Sequence, residues 1–120
     1  MEKIHTICVM RDLVRAMSQL ESQLMNLSGL TLNEAMVLCC IANETVTASE
    51  ICEHTLLLPS HASKVIRHLE EKKLLLRALG KEDKRTMIFS LTDQGEETIN
   101  TLKTQPLDIP EILLPLFTDK

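Results

Sequence analysis

Leu57-Leu58-Pro59-Ser60-His61-Ala62-Ser63-Lys64-Val65-Ile66-Arg67-His68-Leu69-Glu70 is the stretch on which the fold turns. Pro59 suits the first turn of a helix, where its missing N–H costs nothing. From there Ala62, Val65, Ile66 and Leu69 fall on one side at helical spacing. Ser60, His61, Ser63, Lys64, Arg67, His68 and Glu71 fall on the other, a side that is polar, partly basic and free of bulky apolar groups. The spacing predicts a helix over about 60–73 with one face for a core and one for a polar, charged surface.

Upstream, Thr47 and Glu50 stand in the T-x-x-E spacing of a capping box, in which each side chain satisfies a backbone N–H left free at a helix start. They predict a short helix over about 48–55. Thr31 and Glu34 repeat the box at the head of another helix. Residues 35–42 are apolar on every face, so this helix is expected to be central and buried, and Asn43-Glu44 to end it. Helices, a short turn and a further helix with a basic outer face describe a helix-turn-helix.

Downstream come two short runs, 74–79 and 86–92, the second alternating Met87, Phe89 and Leu91 with Ile88, Ser90 and Thr92. The charged link between them contains Gly80, and the whole reads as a β-hairpin with a basic tip. Thr92 can cap a further helix over about 93–103, closed off by Pro106. The expected architecture is mostly α with a small β-hairpin: a winged helix-turn-helix with a long N-terminal helix and a short C-terminal helix plus tail.

The long N-terminal helix is read from Met10, Leu13, Met17, Leu20, Leu24 and Leu27, which repeat at steps of three and four without an intervening Gly or Pro. Such a seam packs on its own domain or on a partner helix, and spacing does not separate the two. The C-terminal tail, broken by Pro106, Pro110 and Pro115, carries Leu107, Ile109, Ile112, Leu113, Leu114, Leu116 and Phe117 and is expected to dock as irregular chain or one short turn. A chain of 120 residues has room for one core, so we divide it into a packing helix (1–28), a winged helix-turn-helix (31–95) and a C-terminal helix with apolar tail (96–120).

Charge sharpens the picture. Between His61 and Arg85 there are eight basic and four acidic residues, a local balance of +4, which leaves −8 for the rest of a chain whose total is −4. A body that repels DNA thus carries one segment that attracts it. No signal peptide is legible, because Glu2, Arg11, Asp12 and Arg15 interrupt the apolar start, and no apolar run approaches the ~20 residues of a membrane span. The expectation is a cytoplasmic protein without a membrane partner. Cys8, Cys39, Cys40 and Cys52 lack metal-ligand spacing, so free thiols and no metal or cofactor are expected.

Three segments carry a family resemblance. The turn and helix quoted above are similar to the recognition-helix pattern of the MarR (multiple antibiotic resistance regulator) family of bacterial transcription factors. Glu82-Asp83-Lys84-Arg85 matches the family's D-[RK]-R wing signature, and Ser90-Leu91-Thr92-Asp93-Gln94-Gly95 matches its v-x-L-T-x-x-G exit from the hairpin. The resemblance spans about 31–95.

It implies that Ser60, His61, Ser63 and Lys64, with Arg67 and His68 further along, face the major groove of double-stranded DNA. Hydroxyls and Lys reach base edges or phosphates there. It implies too that Arg85 approaches the adjacent minor groove, that Asp83 braces the hairpin, and that Lys81 and Lys84 bind phosphates. A homodimer, repression and a small-molecule effector follow from the resemblance alone. Dimer contacts are expected from Met10, Leu13, Met17, Leu20, Leu24, Leu113, Leu116 and Phe117, because the two long C-terminal helices that form the family's interface are cut short here.

Other departures concern the backbone. The family usually has Gly where this chain has Lys73, and often where it has Leu56, which would strain a left-handed cap. Its N-cap hydroxyl is replaced by Leu58, so Ser60 is expected to cap instead.

Two rivals use the same fold. An oxidant sensor would place a reactive thiolate at Cys8, although the chain has no Tyr to steady it. A protein-interaction module without DNA binding would suit the acidic balance, against the evidence of the basic helix and intact wing. An enzyme is not expected, since His5, His54, His61 and His68 are scattered and no nucleophile–base grouping is visible. RNA is not expected as a partner, because Phe89 and Phe117 are the only aromatic residues and offer no stacking platform.

Overall fold

A computed structural model describes residues 2–42 and 44–117. Five helices and three short strands follow in the order α1 (Glu2–Ser28), α2 (Leu32–Cys40), β1 (Val46–Thr47), α3 (Ala48–Thr55), α4 (Pro59–Glu71), β2 (Leu75–Leu79), β3 (Met87–Leu91) and α5 (Asp93–Thr104), with a 3-10 turn at Glu111–Leu116. Both capping boxes form. Thr31 accepts from the Glu34 amide and Thr47 from the Glu50 amide, while each glutamate reaches back to its N-cap N–H. Thr92 caps α5 by accepting from the Gly95 amide at 2.9 Å.

The main core is built from α2, α3, α4, the sheet and the inner face of α5. Val37, Leu38, Ile51 and Leu69 are wholly buried at its centre, with Leu30, Val46, Leu75, Phe89 and Ile99 around them. All four apolar positions predicted on the inner side of α4, Ala62, Val65, Ile66 and Leu69, are buried. The α2 run is less uniform than expected. Its regular part stops at Cys40, Cys39 is exposed, and Met36, Cys40 and Ala42 are half-buried; Asn43 lies outside the described residues.

The hairpin is antiparallel, with Leu75 opposite Leu91 and Leu79 opposite Met87. A third strand, β1, adds to the free side of β3 and pairs Val46 with Phe89, giving the order β1-β3-β2. Two residues are too few to show a period, so only the pairing reveals this strand.

The seam on α1 divides in the structure. Leu24 belongs to the main core, and Ala16 and Leu20 form a second, smaller core with Leu113 of the tail. Gln23 secures the tail by donating to the Asp108 carbonyl at 2.7 Å and accepting from the Asp108 amide at 2.6 Å. Leu20, Leu24 and Leu113 are therefore interior residues of one chain. Leu113 of the tail covers Leu20, whereas Leu24 is held in the main core. Leu13 and Met17 are half-buried against the same small core, whereas Met10, Leu116 and Phe117 stay exposed, as do Ile4, Ile7 and Val14. The first half of α1 projects as an arm, and the molecule measures 58 × 30 × 29 Å.

Candidate nucleic-acid interface

The outward side of α4 presents Ser60, His61, Ser63, Lys64, Arg67 and His68, every one exposed. They are brought together because the four buried positions anchor the opposite side of the helix. The N-terminus of α4 carries no side-chain cap. Leu58 occupies the N-cap position in extended conformation and Ser60 lies inside the first turn, so the expectation that Ser60 caps is corrected. The His61 ring reaches the Asn33 side-chain amide at 3.5 Å, tying α4 loosely to the start of α2.

Leu56 and Lys73 both adopt left-handed backbone, at φ 63° and 62°, the two places where the resemblance calls for Gly. The turns keep their geometry and the side chains bear the strain. Lys73 therefore ends α4 as a glycine would, and its amide donates to the Glu70 carbonyl at 2.9 Å.

Not all the cations of the basic segment face solvent unpaired. Lys72 turns inward to the Glu34 carboxylate at 2.9 Å and the Gly29 carbonyl at 3.0 Å. Arg77 binds Glu70 through both Nε and Nη2, and its guanidinium lies 5.5 Å from the centre of the Phe89 ring. This pair fastens the first wing strand to α4 and raises the Arg77 pKa, chiefly through the hydrogen bonds to Glu70. Sequence reading counts Lys72 and Arg77 as part of the attractive surface. The structure spends them on holding the domain together, a use invisible in sequence because the partners lie 38 and seven residues away.

Lys64, Arg67, Lys81 and Lys84 make no ion pair among the described residues. Lys81, Asp83, Lys84 and Arg85 are all exposed at the hairpin tip. Asp83 organises that tip. Its Oδ1 accepts from the Arg85 amide at 2.9 Å, its Oδ2 from the Thr86 hydroxyl at 3.0 Å, and its carbonyl from the Thr86 amide at 3.0 Å. The Arg85 amide and the Thr86 hydroxyl hold the Asp83 carboxyl below the usual aspartate range. Arg85 itself is 95 % exposed, with Nε 3.6 Å from Asp83. The tip is a turn braced by Asp83 that leaves the Arg85 guanidinium extended into solvent.

Behind the helix-turn-helix lies an apolar cavity of about 670 Å³, walled by Leu24 of α1, Met36 and Cys39 of α2, His54 and Thr55 of α3 and Leu102 of α5. Partial burial pushes the thiols of both Cys39 and Cys40 upward. Cys8 is half-buried on the arm of α1. Among the described residues no cluster of three or more His, Cys, Asp or Glu side chains is placed to hold a metal ion. No described helix is long and apolar enough to cross a membrane.

A helix-turn-helix with a polar outer face, followed by a braced two-stranded wing, defines a winged-helix DNA-binding protein. The chain belongs to the winged helix DNA-binding domain family, whose model matches residues 30–95, more than half of its length. No curated protein matches it.

Among solved structures, a MepR-like protein complexed with pseudoligands superposes with a TM-score of 0.72 at 22 % identity, covering 87 % of this chain and 72 % of that one. The transcriptional regulator BldR from Sulfolobus solfataricus gives 0.69 at 18 %, over 85 % and 75 % of the two chains. A variant of MepR from S. aureus bound to an oligodeoxyribonucleotide gives 0.66 at 20 %, over 82 % and 74 %. The fold is that of the MarR-like regulators.

Proposed function

We propose that this chain is a dimeric, sequence-selective duplex-DNA-binding transcriptional repressor that responds to a small apolar or phenolic ligand. The observation that carries the reading is the pairing of an outward α4 face bearing hydroxyls, Lys64 and Arg67 with a wing whose Asp83 bracing leaves Arg85 extended. Helix residues 60–68 enter the major groove, Arg85 reaches the neighbouring minor groove, and Lys81 and Lys84 neutralise phosphates. The acidic remainder of the chain keeps nonspecific attraction low and confines binding to this surface.

Two features support the finer points. Ile4, Ile7, Met10, Val14, Leu116 and Phe117 expose apolar surface on the arm and tail, which suits a second copy placing two wings on two half-sites. The apolar cavity is of ligand size, and its wall residue Thr55 accepts from the Leu57 amide at 3.3 Å, just ahead of α4. A ligand that fits the cavity in only one position of α3 shifts the recognition helix by that differential affinity.

The test is titration of the full chain into labelled duplex pools, first its own upstream region beside scrambled duplex at two salt concentrations, then random duplexes. Salt-dependent binding that selects a sequence supports the reading, with the slope giving about 0.9 per phosphate neutralised. Folded protein that selects nothing at low salt overturns it in favour of an interaction module. Sedimentation of the same protein tests the dimer, which Ile7→Glu on the exposed arm is expected to dissociate.

A further inference from the structure

Three consecutive leucines join α3 to α4, and the fold uses only the middle one. Leu57 is half-buried and packs on the main core, whereas Leu56 is 88 % and Leu58 73 % exposed. Apolar side chains left in water contribute nothing to the core. Leu58 also occupies the N-cap of α4, where Ser, Thr, Asp or Asn would satisfy a first-turn N–H, and it offers no such bond. A residue that neither packs nor caps stands at the tip of α4, separated from Ser60 and His61 only by Pro59.

We propose that Leu58 is a specificity-determining residue that reads the C5-methyl group of a thymine in the major groove. The inference rests on the reading of α4 as the recognition helix. The first residues of such a helix are those that meet base edges. In the major groove every base presents hydrogen-bonding atoms, and the thymine methyl is the one apolar feature among them. A leucine against the guanine or cytosine edge would strip water from N7, O6 or N4 and return no hydrogen bond. Against a thymine methyl it removes apolar surface from water on both sides. The polar neighbours divide the work: Ser60 and His61 supply hydrogen bonds, and Leu58 selects for a methyl at the step facing the start of the helix.

The experiment starts from the duplex that the full chain selects from a random pool. Each thymine in it is replaced singly by deoxyuridine, which removes the methyl and leaves pairing unchanged. Wild type is expected to lose about fourfold in affinity at one position, the value of one buried methyl. Leu58→Ala is expected to bind the thymine and uridine duplexes alike at that position, with an unchanged melting curve because Leu58 is largely exposed. Uridine at other positions should be tolerated equally by both proteins.

Wild type indifferent to every replacement overturns the inference while leaving DNA recognition intact. Leu58→Ala retaining the wild-type discrimination overturns it as well. Failure to select any duplex removes the DNA-binding reading itself. If Leu58→Ala changes sedimentation rather than methyl discrimination, the residue belongs to a protein contact instead.

Discussion

The Glu34 carboxylate, 4 % exposed, accepts from the Lys72 ammonium at 2.9 Å and so joins the head of α2 to the foot of α4. The same oxygen accepts from the Thr31 amide, so one buried group closes a capping box and fixes α4 to the body. Burial pushes the Glu34 carboxyl upward, but the Thr31 amide and Lys72 together outweigh it and leave the group below the ordinary glutamate range. A depressed carboxylate contributes stability above its unfolded pKa and loses that contribution as pH falls through its folded value. Lys72→Met is expected to cost about 1–2 kcal/mol at neutral pH, a figure reduced because Lys72 is partly exposed. The cost should shrink at acidic pH, as the pH falls through the depressed Glu34 value and the carboxylate takes up its proton. Urea denaturation at neutral and acidic pH checks this, and a cost that does not change with pH would show that the pair is not what holds the helices.

The wing offers a prediction in which charge counting and geometry disagree. Removing the Asp83 carboxylate makes the tip more positive, which by charge alone strengthens DNA binding. The bonds from Asp83 to Arg85 and Thr86 are what hold the tip in shape. Asp83→Ala is therefore expected to weaken binding to the selected duplex. Arg85→Ala should weaken it too, with a salt slope shallower by about 1 if its contact is to phosphate. Fluorescence anisotropy over a salt series measures both, and Asp83→Ala binding more tightly than wild type would reject the bracing role.

Lys73 sits at φ 62° with its side chain exposed, so nothing in the packing offsets the left-handed backbone. Lys73→Gly is expected to stabilise the fold by about 0.5–1 kcal/mol, the relief of strain exceeding the entropy glycine adds to the unfolded chain. The urea midpoint should rise without a change in m-value.

Gly95 lies where α5 starts against the entrance to β2, and a Cβ there would overlap the Leu74 carbonyl. That carbonyl already accepts from the Thr92 amide at 3.1 Å and is not free to move. Gly95→Ala is expected to cost about 3 kcal/mol or more, or to prevent folding. Thermal melting of the variant checks it, and a loss below about 1 kcal/mol would mean that α5 can slide on the sheet.

Much of this domain was legible in the order of residues. Both capping boxes, the inner side of α4, the wing and the cap of α5 depend on neighbours within four residues or on a period of two or 3.6, and local spacing is what a sequence displays. The six outward residues of α4 were legible for the same reason: positions that are not needed for the core are the ones left exposed. What escaped depends on contacts between distant segments. β1 exists because β3 offers an edge to it. Lys72 and Arg77 leave the attractive surface because Glu34 and Glu70 happen to stand beside them in space. The apolar seam of α1 was visible as a period, but only the packing of the whole chain decided that Leu20 and Leu24 are core while Met10 is surface. A period specifies that a face must be covered; which segment covers it is settled by the free energy of the whole packed chain.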